Sequence, residues 1–195
     1  MIELIKSSIQ DSDTYGVYNL NYPTIINVDN KIINIINHKI LADIKIFKDV
    51  SKNDIKNLLK NTRYLYYISS EYNVFFNSNN IFSISLELCQ LVGIYNINYI
   101  KSYNYDISLE KEIKLTDLFK NNINYKKFIN NLIKKENNID IEIYDEISFC
   151  FNNKELIIYF SSYEIDFNIP NISFILIDIN LYKDYFSDYF INMVC

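Results

Sequence analysis

Acid–base and nucleophilic catalysis usually depend on histidine or cysteine, and this chain has one histidine and three cysteines. His38 lies off the isoleucine stripe of its predicted helix, so we expect it on the solvent side without a catalytic partner. Nothing in the sequence sets Cys89 or Cys150 beside a helix N-terminus or a cation that would activate a thiol. We therefore expect no catalytic residue among them.

A pair of carboxylates, as in glycosidases, is the other source of catalysis that the residues allow. Acidic side chains are frequent near the ends of predicted strands: Asp106, Glu110, Glu112, Asp140, Glu142, Asp145, Glu146 and Glu164. Most of them have lysine neighbours, which favours solvated surface charge over a catalytic pair. A carboxylate-dependent hydrolase acting on peptidoglycan stays as the alternative function.

Metal and cofactor sites have no matching motif. One histidine and scattered cysteines cannot form a zinc set, no acidic loop has EF-hand spacing, and neither GxGxxG nor GxxxxGK occurs. We therefore expect neither a metal nor a cofactor. The cysteines have no CxxC spacing, and Cys89 and Cys150 either pair in an oxidising compartment or stay as two buried thiols.

Charge and composition limit the partners. The net charge is −5 and Arg63 is the one arginine in 195 residues, which argues against nucleic acid. No apolar run approaches the roughly 18 residues of a membrane span, and Met1–Lys6 is not followed by a signal-peptide core, so the chain is cytoplasmic if Met1 is the native start. The 18 tyrosines suit protein or carbohydrate contacts, although coding bias and strand propensity explain them as well.

The pattern of apolar residues predicts one α+β domain, with an antiparallel, hairpin-rich sheet covered by helices. We expect an extension over 1–14, a helical segment over 15–60, and a sheet with helices over 61–195. The helical segment comprises a helix over 30–47 and a second helix capped by Ser51. Asp178 is expected to cap a terminal helix with Leu181, Tyr185 and Phe186 directed inward. The strand over 97–105 would present Tyr95, Tyr99, Tyr103 and Tyr105 on one side.

Several sequence blocks recur in a known bacterial pattern. They are Tyr22-Pro23-Thr24-Ile25, the helix over 30–47, Tyr72-Asn73-Val74-Phe75-Phe76-Asn77, Ile81-Phe82-Ser83-Ile84, Asn104-Tyr105-Asp106, Ile113-Lys114-Leu115-Thr116-Asp117-Leu118-Phe119, and Ile158-Tyr159-Phe160-Ser161-Ser162-Tyr163-Glu164-Ile165. In order and spacing, over roughly 15–190, they resemble the domain of unknown function at the C-terminus of lysozyme-sensing anti-sigma-V factors, with the segment also found ahead of peptidoglycan deacetylase domains.

The resemblance implies a non-catalytic binding module, extracellular or in the cell envelope, of mixed α/β structure. Its expected partner is lysozyme or another basic envelope protein, or a glycan, bound through loops near Gly93 and Tyr163. The expected contact residues are Gly93, Tyr95, Tyr99, Tyr103, Tyr163 and Glu164. The sequence departs from the family at Val92-Gly93-Ile94-Tyr95, which keeps one glycine and lacks the family's histidine. A structural protein that associates through its tyrosines is a third hypothesis.

Overall fold

The computed structural model describes residues 1–14, 16–26, 30–58, 66–93, 95–137, 143–160 and 174–194, with the backbone alone at 55–58, 92, 95, 136 and 137. Within these residues, six strands form one sheet in the order β1-β2-β3-β4-β5-β6 and three form a second sheet in the order β7-β8-β9. The strands of the first sheet are β1 (Glu3–Ser12), β2 (Gly16–Ile26), β3 (Tyr66–Ser78), β4 (Ile81–Val92), β5 (Tyr95–Asp106) and β6 (Lys111–Glu112). The helix α1 (Lys31–Leu58) lies between β2 and β3 along the chain.

The second sheet and its helices follow along the chain. A 3₁₀ helix covers Leu115–Leu118, and α2 (Tyr125–Asn137), β7 (Phe149–Phe151), β8 (Glu155–Tyr159) and β9 (Phe174–Asp178) come next. A 3₁₀ turn, Lys183–Tyr185, precedes α3 (Asp188–Val194). The chain forms two compact units: Met1–Asn73 with Leu86–Lys101, and Val74–Ser85 with Ser102–Cys195.

In the first unit, α1 is one helix of 28 residues and not two. Its buried stripe has the expected helical spacing: Ile33, Ile36, Ile40, Ile44 and Phe47. Ser51 does not cap a second helix. It is fully buried within α1, where its hydroxyl accepts a hydrogen bond of 2.6 Å from Gln90 Nε2 of β4. The Ser51 hydroxyl therefore bonds to β4 instead of capping a helix, and the predicted break at Ser51 is wrong.

The segments expected as an extension and as a helical segment both contain strands. β1 lies within 1–14 and pairs antiparallel with β2, which lies within 15–60. The hairpin between them is closed by Asp13, whose backbone N–H donates to the Gly16 carbonyl and whose Oδ1 accepts from the Gly16 N–H. β2 then pairs in parallel with β3, and Gly16 is required there because a Cβ would lie 2.9 Å from the Tyr66 carbonyl oxygen.

In the second unit, a tight turn joins β3 and β4. Asn79 and Asn80 have φ values of 51° and 61°, the conformation that two-residue hairpin loops require and that asparagine tolerates. β7, β8 and β9 pair antiparallel. Their buried face packs with α2 and α3 around aromatic side chains, among them Phe119, Phe151 and Phe186.

The terminal helix begins at Asp188 and is not capped by Asp178 as expected. Asp178 Oδ1 accepts from the N–H groups of Asn180 and Leu181 and so forms a turn. Leu181 is 71% exposed, and Tyr185 is exposed while its ring stacks on Phe128 at 4.3 Å, so neither points inward as expected. Phe186 does.

The predicted fold class, α+β with a mostly antiparallel sheet and helices, is confirmed. The extent of a single domain over 15–195 stays a prediction. Among the described residues, none of the helices combines the length and the apolar character needed to cross a membrane.

Candidate functional site

The sheet of the first unit has one face against α1 and one face that is open. Tyr18, Leu20, Ile68 and Leu88 are buried on the α1 side. Residues of opposite parity are exposed or half-buried, and we call them the open face: Val17, Asn19, Tyr67, Ser69, Glu71, Glu87, Cys89, Leu91, Asn96 and Asn98. Alternation along each strand therefore separates a core side from a solvent side.

Two rows of side chains cross β1, β2 and β3 on the open face. Val17 pairs with Ser12 on one side and with Tyr67 on the other. Asn19 pairs with Gln10 and with Ser69 in the same way. The first row is therefore largely apolar and the second is polar. Val17 is 47% exposed and Tyr67 is 40% exposed, which is high for residues inside a sheet.

The polar groups of this face are only partly paired. Asn19 Nδ2 donates to the Tyr67 hydroxyl over a long 3.4 Å, and the Cys89 thiol donates to Asn96 Oδ1 at 2.9 Å. The Oδ1 atoms of Asn19 and Asn98 are buried and have no hydrogen-bond partner in the described part of the chain. Buried acceptors without partners are uncommon in folded proteins, and each of these two atoms could accept a hydrogen bond from a further donor.

The charged groups of the open face are acidic. Glu71 accepts from Lys6 Nζ at 3.1 Å and from Asn21 Nδ2, and Glu87 is exposed. The ten open-face residues include no lysine or arginine, but Lys6 of β1 has the same parity as Gln10 and Ser12 and offsets the charge of Glu71. The negative charge that remains among these groups is that of Glu87, which has the sign that attracts a basic partner.

At the end of β1 and the start of β2, the open face deepens into a groove of about 700 Å³. The loop beside it is held by Asp11, which pairs with Lys48, and by Asp13, which pairs with Lys52 at 3.1 Å. The bond from Lys48 lowers the pKa of the Asp11 carboxyl. Burial, reinforced by Asp13, raises the pKa of Tyr18 to about 12. Both ion pairs fasten the groove wall to α1.

Of the residues expected to contact a partner, the structure describes three, which are Gly93, Tyr99 and Tyr103. Gly93 is exposed in the turn between β4 and β5, with a φ of 61° that suits glycine. Tyr99 is half-buried, edge-on to Phe47 of α1 at 6.1 Å, and Tyr103 in the second unit is 1% exposed. Tyr99 and Tyr103 have the same parity along β5, as predicted. The side chains of this parity are buried or half-buried, whereas a contact surface requires exposed ones. The Tyr95 side chain, Tyr163 and Glu164 lie outside the described residues.

Sequence reasoning missed Val17, Asn19 and Tyr67. The sequence pattern that could have indicated them is the alternation along β3. Tyr66 and Ile68 point into the core, whereas Tyr67 and Ser69 point toward solvent.

The residues considered for catalysis are dispersed. His38 is exposed on α1, as expected. Cys89 and Cys150 are free thiols; burial raises the pKa of both, that of Cys150 to about 12. Among the described residues, no group of three or more His, Cys, Asp and Glu side chains could hold a metal ion.

The carboxylates have varied surroundings. Asp106 is buried, and it accepts from the Tyr189 hydroxyl and the Leu109 N–H, each at 3.0 Å. Asp145 accepts from the Tyr125 hydroxyl and pairs with Lys126, and these bonds lower its pKa. Three are exposed, Glu110, Glu112 and Glu146, while Asp140, Glu142 and Glu164 lie outside the described residues.

Comparison with known proteins finds solved structures of similar fold. No protein-family model and no curated protein matches the sequence. A member of the DUF3298 family from Bacteroides fragilis is similar in structure, with a TM-score of 0.69 at 14% identity over 99% of this chain and 97% of that chain. A DUF3298 family protein from Pseudomonas aeruginosa has a TM-score of 0.60 at 10% identity over 97% and 96%. These neighbours agree with a domain of unknown function, as the resemblance implied, and this chain shares their fold.

Proposed function

We propose that this protein is a non-catalytic binding module of the bacterial envelope, and that its open face binds a basic protein. The observation that carries the proposal is the open face itself. It exposes Val17, Tyr67 and Leu91 beside the acidic Glu87, while Glu71 is paired with Lys6. Aromatic and aliphatic anchors bordered by charge are typical of protein contact surfaces.

Lysozyme is the first partner to test. The sequence resembles the C-terminal domain of lysozyme-sensing anti-sigma-V factors, and lysozyme is a basic enzyme. The net charge of −5 would accelerate encounter with a basic protein and would make the association rate fall with salt.

Support for a non-catalytic role comes from the side chains best suited to catalysis. A thiol acts as a nucleophile in its thiolate form, and burial disfavours that form in Cys150 and Cys89. His38 is exposed on the outer side of α1.

The test is calorimetric titration with lysozyme at low and at moderate salt. We expect micromolar or tighter binding that weakens with salt. The variant Glu87→Lys should weaken it by about tenfold, because a charge at the contact surface is reversed. Glu146→Lys is the matched control, since it changes the net charge equally from an exposed position in the second unit and should leave most of the affinity.

Absence of heat and of enzyme inhibition at micromolar concentration would contradict the proposal, as would equal weakening by both variants. The alternative, a carboxylate-dependent hydrolase, predicts shortened peptidoglycan fragments by mass spectrometry after incubation with the protein. Unchanged fragments would remove it.

A further inference from the structure

The groove at the end of β1 combines an apolar and a polar strip in adjacent rows. Val17 and Tyr67 are direct partners on neighbouring strands, about 4.8 Å apart. Gln10 and Asn19 form the next row, two residues along the strands from the row of Ser12 and Val17. At the usual rise of a strand, the two rows are about 6.6 Å apart. This spacing is comparable with the width of a hexopyranose ring. We infer that the groove binds a neutral pyranose oligosaccharide, with one sugar face on Tyr67 and Val17.

The apolar strip fits the C–H face of a sugar. Tyr67 lines the groove and is 40% exposed, and its hydroxyl accepts from Asn19 Nδ2, so the residue combines an apolar ring with a polar edge. Val17 extends this surface by one strand. Sugars in pyranose form have one face rich in C–H groups, and this face stacks on aromatic rings.

The polar strip fits sugar hydroxyls, which donate and accept hydrogen bonds. Gln10 and Asn19 carry amides that do both, and the Ser12 hydroxyl lies in the adjoining row. Asn19 Oδ1 has no partner in the described residues, and its Nδ2 is held by a bond of 3.4 Å. Asn19 lines the groove, and rotation of this weakly held amide would exchange the positions of its oxygen and nitrogen, because terminal amide torsions have broad minima.

Charge selects a neutral ligand. Among the described residues, the lining of the groove includes no lysine or arginine, so a phosphate or a carboxylate would find no unpaired cation among them. Asp11 at the rim is neutralised by Lys48. A fully apolar ligand would leave the amides of Gln10 and Asn19 without partners.

The groove wall is also held in position before binding. Asp13 fixes Gly16 and Lys52 beside it, and Tyr18 beneath is 1% exposed. A site that is ordered in advance loses less conformational freedom on binding.

The experiment is a nuclear magnetic resonance titration of the amide-labelled protein with the tetramer of N-acetylglucosamine and with the tetramer of glucose. We expect saturable shifts for at least one of them at the amides of Val17, Asn19 and Tyr67. Tyr67→Ala should weaken binding by about tenfold or more, because the stacking surface is lost. Tyr144→Ala is the matched control, since Tyr144 is equally exposed at 40% in the second unit and should leave affinity unchanged.

Asn19→Ala provides a second variant that removes the unpaired acceptor, and circular dichroism verifies that each variant is folded. Binding should be independent of salt, unlike that of a basic protein. Saturable shifts absent at millimolar sugar, shifts confined to other strands, or equal effects of Tyr67→Ala and Tyr144→Ala would each overturn the inference. The inference shares Val17 and Tyr67 with the protein-binding surface proposed above, but Glu87 and Leu91 lie outside the groove, so Glu87→Lys should weaken binding of the protein and leave binding of the sugar unchanged.

Discussion

Ser83 and Asn104 form a buried hydrogen bond of 2.6 Å between β4 and β5 in the second unit, with the Ser83 hydroxyl as donor and Asn104 Oδ1 as acceptor. The same two side chains also reach β7. Asn104 Nδ2 donates to the Phe149 carbonyl at 2.8 Å, and the Phe151 N–H donates to Ser83 Oγ at 3.0 Å. This polar contact fixes the position of β7 where an apolar contact would allow it to slide.

Replacement of Asn104 by leucine should destabilise the protein by about 2–4 kcal/mol, because the buried Ser83 hydroxyl and Phe149 carbonyl lose their partners. Urea unfolding measures the change. Asn121→Leu, at an exposed position, is the control and should change the free energy of unfolding by less than about 0.5 kcal/mol. Equal effects at the two positions would show that the buried bonds contribute nothing.

The bond between Gln90 and Ser51 predicts a non-additive pair. Gln90→Met leaves the fully buried Ser51 hydroxyl without its donor and should cost about 1–3 kcal/mol. Ser51→Ala in the same chain removes the stranded hydroxyl, so the double variant should be more stable than the sum of the two single losses. Strict additivity in urea unfolding would refute the contact.

The elements with clear periodicity could be predicted from sequence. The apolar residues from Ile33 to Phe47 recur at helical spacing, which predicts the helix. Asparagines between two apolar runs, as at Asn79, predict a turn. β1 and β2 could not be predicted in this way. β1 is an edge strand with mostly exposed side chains, and β2 contains Pro23, which is uncommon inside a sheet. β2 and β3 pair in parallel, and α1 connects them along the chain. This pairing depends on how α1 packs against the sheet, which is a tertiary contact.

The candidate site was harder to predict for a related reason. Alternation tells which residues share a face but does not tell which face the helix covers. Tyr99 faces α1, whereas Tyr67 faces solvent, and both are tyrosines in strands. The choice between the two faces is made by the contact of α1 with Gln90 and Tyr18, which no local pattern encodes.

The two described thiols should differ in reactivity. In a Cys195→Ser background, a maleimide should modify Cys89 slowly in the native protein and Cys150 only on unfolding. Cys150 is fully buried, and a pKa of about 12 instead of 9.0 lowers its thiolate fraction about a thousandfold. Peptide mass spectrometry identifies the modified site, with denatured protein as the control for complete labelling. Native labelling of Cys150 at the rate of Cys89 would contradict the burial.

Tyr18 should make stability depend on pH in the alkaline range. Burial, with Asp13 nearby, raises its pKa from 10.0 to about 12 in the folded chain. The neutral phenol is therefore favoured by folding, so its contribution to stability is complete below pH 10 and is lost as the pH rises through 12. The free energy of unfolding should fall more steeply over this range in the wild type than in Tyr18→Phe. Asp13→Asn should shift the tyrosinate absorbance transition of Tyr18 to lower pH, because the opposing charge is removed. Parallel pH profiles of wild type and Tyr18→Phe would mean that Tyr18 ionises as easily folded as unfolded, and that the groove wall is open to water at its base.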